Sequence, residues 1–372
     1  MYSLIQNETR LHEDRSQSRF LPLDFLRVMT DDTGMIQHGV GGVPDPHTGY
    51  TTDDNARAFL ATVRLWRRFP DRRAEIEPLL RRYLQFLVWA QRRATPTEES
   101  CGGSGDGVNG DGWFRNFAGY HRIFLEQTGS PDCLGRCVWA LGTAESGDLP
   151  QGTRLAVRSL LIGARRAASM VSSPHAVCYL LLGLSDLARD TGVHPLVEKS
   201  VERLLSLWGT YSSPDWQWFE PQMTYDNARY CEALLRGGLA LDHREAIAVA
   251  KQSLDFLTAH SFHDIHGYLT PIGCRGWWSA GGTKAEFDQQ TIEAGAYVEA
   301  YRLFGRVFGD ARYDRFAERA RDWFWGDNVH RLPLYDPDSG GCYDGLTADG
   351  VNLNMGAESV LSYLLAETCA PA

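Results

Sequence analysis

Long apolar runs are missing from this chain. None reaches the roughly 18 residues that a membrane-spanning helix needs. Residues 1–15 are polar and charged, without the apolar stretch of a secretory signal. Positive charge is scarce as well. The 372 residues carry 37 Lys and Arg against 47 Asp and Glu, a net −10, which argues against the basic surface that a nucleic acid or an anionic membrane requires. The 8 cysteines are scattered, with no CxxC pair and no zinc-ligand spacing. Cys133 and Cys137 sit four apart on a predicted helix with no partner motif. Reduced, buried thiols are therefore expected rather than disulfides, and the cytoplasm is the expected compartment. No Gly-x-Ser-x-Gly elbow occurs, and Gly102 to Gly112 lacks the Lys-Ser/Thr of a phosphate loop and follows no strand. His38, His121 and His175 share no metal spacing, and His260, His263 and His266 fall where a helix ends. No metal and no cofactor is expected.

Strand signals are weak, and helical apolar spacing dominates. The first helix is predicted from about Phe20 to Thr30, with Leu21, Leu23, Phe25, Leu26 and Val28 as its apolar content. Eleven more follow, making about twelve. Long loops rich in Gly and Trp precede one helix of each pair, and short turns join the pair; the short Ser172 to Pro174 link is the exception. Six helical hairpins with alternating loop lengths predict an all-α (α/α)6 barrel, read as one domain over residues 1–372. Its inner helices start at Asp53, Asp132, Pro174, Asp226, Asp288 and Asn354, and the N-terminal helix closes the ring beside the last. Stacked pairs in an open solenoid are the alternative, but their loops need not alternate in this way.

One short segment occurs twice. Thr51-Thr52-Asp53-Asp54-Asn55-Ala56-Arg57 opens one helix, and Tyr225-Asp226-Asn227-Ala228-Arg229 opens another close to half the chain later. Asp and Asn at a helix start can serve as caps. In the barrel layout, however, these helix starts and all the long loops share one rim, where function belongs on loops held by a rigid scaffold. The rim collects Asp53, Asp54, Asp226, Asp288, Glu220, Glu293 and Glu358 beside Trp113, Trp216, Trp218, Trp277 and Trp278. Glycoside cleavage requires this combination: one carboxylic acid to protonate the leaving oxygen, a second carboxylate to activate water or attack the sugar, and aromatic faces for the ring. Arg57 and Arg229 lie three residues after Asp54 and Asp226, at pairing distance, and would keep those acids ionised. Asp288 has no arginine at i+3 or i+4, which favours it as the acid.

These motifs, together with Trp218-Phe219-Glu220, Phe287-Asp288-Gln289-Gln290 with Glu293, Phe114-Arg115-Asn116-Phe117, Gly340-Gly341-Cys342-Tyr343-Asp344-Gly345-Leu346 and Asn354-Met355-Gly356-Ala357-Glu358-Ser359, resemble a bacterial family. It lies within the six-hairpin glycosidase superfamily, and its members are often found beside, or fused to, glycosyltransferases and mannoside phosphorylases. The resemblance covers about residues 35 to 365 and implies an (α/α)6 toroid with carbohydrate-active chemistry. Members carry Gln where this chain has Met355. If that Gln touches sugar, the subsite here is altered.

The resulting expectation is a glycoside hydrolase acting on an oligosaccharide. Asp54 and Asp288 form the acid/base or nucleophile pair, and Asp226 orients the substrate. The expected substrate contacts are Asp53, Arg57, Trp113, Arg115, Asn116, His121, Trp218, Glu220, Tyr225, Asn227, Arg229, Gln289, Gln290, Glu293 and Glu358. The alternatives are a sugar 2-epimerase using His38, His121 or His175, and a non-catalytic saccharide-binding partner of a glycosyltransferase. On this reading, Asp54→Asn and Asp288→Asn each abolish turnover and leave the circular dichroism spectrum unchanged. Full activity in both variants would refute the pair.

Overall fold

The structure, a computed structural model, describes residues 23–92 and 111–369. The expected segments Phe20 to Pro22 and Gly102 to Gly107 lie outside those residues. The described chain forms twelve α-helices: α1 (Leu23–Val28), α2 (Thr52–Arg68), α3 (Arg73–Ala90), α4 (Pro131–Glu145), α5 (Gln151–Met170), α6 (Pro174–Leu184), α7 (His194–Tyr211), α8 (Ala228–Ala240), α9 (Arg244–Ala259), α10 (Thr291–Phe308), α11 (Ala311–Asp322) and α12 (Ala357–Thr368).

Local chemistry sets the helix starts. The Thr51 hydroxyl caps α2 by accepting from the Asp54 N–H at 3.1 Å. Ser130 caps α4 by accepting from the Cys133 N–H at 3.1 Å, and Pro131 occupies the first turn. The cap of α12 comes from a distance: Asp344 Oδ1 accepts from the Gly356 N–H at 2.7 Å and the Ser359 hydroxyl at 2.6 Å. Three starts differ from the sequence reading. Helix α12 begins at Ala357 and not at Asn354, because the Met355 N–H turns to the Gly41 carbonyl and Gly356 is the extended cap. Helix α8 begins at Ala228, because Asp226 holds a left-handed φ of 53° and its N–H turns to the Glu293 carboxylate. Helix α10 begins at Thr291, because Gln289 and Gln290 extend to pair with the strand at Gly345–Thr347.

Helices α2, α4, α6, α8, α10 and α12 pack in that order, and α12 returns to α2, closing an inner ring. The ring helices are buried almost all round, as inner helices must be. In α6, every residue from His175 to Leu184 is buried. The outer helices bury one stripe. In α5 the stripe runs through Thr153, Val157, Leu160, Leu161 and Ala164. Each of α3, α5, α7, α9 and α11 packs on the inner helix before it. Near α12, Phe25 of α1 and Met355 both lie over Gly341. Met355 is 3% exposed and packs here, away from the walls of the rim cavity. No helix among the described residues is long and apolar enough to cross a membrane.

The long loops are stitched together by short strands. Tyr50–Thr51 pairs with Phe117–Ala118, Gln222–Met223 with Trp278–Ser279, and Gln289–Gln290 with Gly345–Thr347. At the opposite mouth, arginines answer the carbonyl ends of the helices. Arg68 donates to the Glu367 carbonyl at 2.7 Å, Arg64 to the Leu365 carbonyl at 3.3 Å, and Arg67 to that of Thr143. Below them, Arg229 pairs with Glu232 at 2.7 Å and Glu299 at 2.6 Å, and Arg64 with Glu299 at 2.6 Å. A cavity of 370 Å³ lies at this end.

Helices α4 and α6 approach through glycine. A Cβ on Gly142 would run into the Gly183 carbonyl, and one on Gly183 into that of Val138. Gly142→Ala should therefore cost about 3 kcal/mol and lower Tm by roughly 5–10 °C. Gly152→Ala in α5, where a Cβ meets nothing within 4 Å, should leave Tm unchanged or slightly raised. Thermal denaturation followed by circular dichroism separates the two; equal effects would refute the close crossing.

Candidate functional site

A cavity of 630 Å³ opens at the N-terminal mouth of the ring. Its polar walls are delivered by several elements. Asp53 comes from the first turn of α2, Asp132 and Arg136 from α4, Tyr225 from the loop before α8, Gln290 from the approach to α10, and Glu358 from the first turn of α12. The pairing of Tyr50–Thr51 with Phe117–Ala118 brings Asn116 onto Asp53. The two bond reciprocally: Asn116 Nδ2 donates to Asp53 Oδ2 at 3.0 Å, and the Asp53 N–H donates to Asn116 Oδ1 at 3.1 Å. Glu126 backs this contact by accepting from the Asn116 N–H at 2.6 Å.

The carboxyl groups here are not equivalent. Burial pushes the Asp53 carboxyl above the usual range, against the pull of Arg136 and Arg57. Its Oδ1 is enclosed with no hydrogen-bond partner among the described residues. Glu358 goes the other way. Burial raises it, but Arg57, at 2.8 Å, and Arg136 outweigh that and hold it ionised below its ordinary value. Asp132 receives the Tyr225 hydroxyl, whose own pKa is raised by burial and then by Asp132, so the phenol keeps its proton and donates it. Deeper in the ring, burial and the Asp226 charge push Glu293 up to about 8.

The residues expected from sequence divide accordingly. Asp53, Asn116, Tyr225, Gln290 and Glu358 border the cavity. Asp54 does not. It is 3% exposed, and its oxygens are engaged by the Thr51 hydroxyl at 2.6 Å and Arg57 at 2.7 Å. One step along a helix turns a side chain by about 100°, and that step takes Asp54 off the wall. Asp226 is likewise buried, between the Tyr179 hydroxyl at 2.7 Å and Arg229 at 3.4 Å. Asp288 is off the wall too and is not free of arginine: Arg275, thirteen positions upstream, donates to it at 2.9 Å. The loop reverses between them, a pairing that helix spacing could not reveal.

The remaining candidates hold the scaffold. Arg57 and Arg229 are spent on ion pairs. Asn227 donates to the Thr224 carbonyl at 2.6 Å and to Glu293 at 3.2 Å. Gln289 accepts from the Trp323 indole at 3.1 Å. Glu220 receives the Tyr230 hydroxyl. Arg115 donates to the Trp89 carbonyl at 2.8 Å, Trp113 packs on the core, and His121 is an exposed turn residue. Of the five tryptophans expected in the basin, Trp277 lines it. Trp216 and Trp218 are buried plugs, and Trp278 stacks on Phe256. The wall residues that sequence reasoning passed over are Glu126, Asp132 and Arg136. The last had a signal: it is a charge within the otherwise apolar run Cys133–Ala140.

No protein-family model matches the chain, and no curated protein matches it by sequence. Solved structures do match. A sugar epimerase from a ruminal bacterium gives a TM-score of 0.68 at 11% identity, covering 97% of this chain and 97% of that one. The chain has an (α/α)6 fold. The cellobiose 2-epimerase of Spirochaeta thermophila gives 0.67 at 14% identity, over 99% and 96%. An α-1,6-mannanase of a Salegentibacter species, described as an inactive variant altered at two consecutive aspartates and in complex with α-1,6-mannotetrose, gives 0.58 at 10%, over 93% and 97%. At such identities the likeness is one of architecture.

The two adjacent aspartates make opposite predictions for stability. Asp54→Asn breaks a buried ion pair, though Arg57 retains Glu358, so it should cost about 2 kcal/mol. Asp53→Asn should be neutral or stabilising at pH 7. The folded pKa of Asp53 lies above its unfolded value, so its ionised form burdens the fold at pH 7, and that burden vanishes below the unfolded pKa of about 3.9. Thermal melts of both variants at pH 7 and pH 4 test this. Asp53→Asn less stable than wild type at pH 7 would refute it.

Proposed function

We propose that the protein is a glycoside hydrolase in which Asp53 is the proton donor and Asp132 the second catalytic carboxylate. The observation that carries the reading is the raised pKa of Asp53 on the wall of a cavity that also holds ionisable Asp132 and Glu358. A carboxyl whose hold on its proton is strengthened by burial, on the same cavity wall as another positioned by a tyrosine hydroxyl, fits the division of labour that glycosidic cleavage uses. Asp53 gives its proton to the leaving oxygen as the anomeric C–O bond breaks. Asp132, oriented by Tyr225, takes a proton from water or attacks the anomeric carbon itself. Glu358, held ionised by Arg57, accepts from a sugar hydroxyl, and Trp277 offers a ring face. Trp277 has a left-handed φ of 58°, a conformation that bulky residues rarely adopt except where function holds them.

The mannanase with two altered aspartates supports this reading by analogy, since this chain carries consecutive aspartates at the start of its first inner helix. A 2-epimerase would need a histidine at the sugar. Among the described residues no histidine borders the cavity. His175 is stacked on Tyr225, and its ring nitrogens face the Tyr225 carbonyl at 2.7 Å and the Tyr230 hydroxyl at 3.2 Å.

Incubation with manno-, gluco- and galacto-oligosaccharides under time-resolved proton NMR should show a smaller sugar, and its first-formed anomer reports retention or inversion. Asp53→Asn should lower kcat roughly 10²–10⁴-fold. An isomer of unchanged mass would replace this reading with an epimerase. Line broadening without product would replace it with a non-catalytic saccharide binder.

A further inference from the structure

Arg136 differs from the other arginines buried in the ring. Arg57 meets Asp54 and Glu358, and Arg229 meets Glu232, Glu299 and Asp226. Arg136 is 7% exposed, yet among the described residues it makes no ion pair. A guanidinium has five N–H donors. Here Nη2 donates to the Tyr179 hydroxyl at 3.0 Å, the group stands 4.8 Å from the centre of that ring, and Nε is buried with no hydrogen-bond partner. Against burial, the charge of Arg136 is offset at longer range by Tyr179, Asp53, Asp226 and Glu358, which raise its pKa, but buried N–H donors left without acceptors are costly unless something completes them. Arg136 borders the 630 Å³ cavity, one turn after Asp132 on α4.

We propose that Arg136 anchors a sugar in the rim cavity, donating from its unused N–H groups to hydroxyl or ring oxygens of an uncharged saccharide. The proposal rests on the cavity being a saccharide site, not on hydrolysis. The substrate is uncharged because, among the described residues, Asp53, Glu126, Asp132 and Glu358 share the walls with one arginine. A uronate or a sugar phosphate would bring a further negative charge among them. Arg136 also faces Asp53 electrostatically and stabilises the carboxylate left when the proton departs.

The test is calorimetric binding of neutral manno- and gluco-trisaccharides, and of a trisaccharide ending in glucuronate, to wild type, Arg136→Gln and Arg136→Lys, with folding checked by circular dichroism. Arg136→Gln should bind the neutral ligand roughly 10- to 100-fold more weakly. Arg136→Lys, which keeps the charge but loses the planar fork, should fall between. Wild type should prefer the neutral ligand to the acidic one. If Arg136→Gln does not fold, Arg136→Lys decides alone, by a loss of roughly tenfold or none. Where turnover is seen, the alkaline limb of kcat should move to higher pH in Arg136→Gln, because the cation that lowers the Asp53 pKa is gone; a merely structural arginine would not move it. Unchanged affinity in the variants, or tighter binding of the glucuronate ligand, overturns the anchor and leaves hydrolysis standing. Binding that depends on Arg136 without turnover overturns hydrolysis and leaves the anchor. No binding of any saccharide by wild type overturns both.

Discussion

Charges buried inside six packed helices must find partners, and that requirement determines which acids of this protein are available for chemistry. Arg57 and Arg229 enter the ring from α2 and α8, which stand opposite each other in the order of packing. Each draws in the aspartate three positions before it and then an acid from elsewhere: Glu358 for Arg57, Glu232 and Glu299 for Arg229. Removing one partner from such a cluster strands the other in a medium that solvates it poorly. The repeated Asp-Asn-Ala-Arg segment is thus primarily a framework device. It fixes two helices on opposite sides of the barrel and leaves the acid just before the first copy, Asp53, on the wall of the rim cavity.

The rim depends on this framework. Its loops are long, but strand pairs between distant loops turn them into a belt, and the side chains that reach the cavity are held by that belt and by the first turns of the inner helices. Asp53 is gripped by Asn116 and Asp132 by Tyr225, each across a loop boundary. The acids that remain unpaired by arginine are therefore still positioned, by hydrogen bonds from neutral donors.

How much of this was legible in the sequence follows from what spacing can encode. Helical periodicity and alternating loop lengths disclosed twelve helices and the inner set, because burial all round and burial on one face leave different patterns. The pairing of Asp54 with Arg57 was readable, being local to one helix. The consequence for Asp53 was not, since caps and wall residues differ by a single step around the helix. Arg275 reaching Asp288 and Tyr225 reaching Asp132 are contacts between segments distant in sequence, and no local rule predicts them. Tryptophan in a glycine-rich loop was ambiguous from the start: Trp277 faces the cavity, while Trp216 and Trp218 fill the core. The two copies of one segment also differ in backbone, helical at Asp54 and left-handed at Asp226, because the second copy must turn its N–H to Glu293.

The layer of Arg229, Glu232, Glu299 and Trp139 beneath Tyr179 separates the two cavities of the barrel. The ring is therefore a cup and not a pipe. Among the described residues, whatever enters the rim cavity leaves by the same mouth. Arrivals and departures share one doorway, so occupancy by what has already been bound competes directly with whatever comes next.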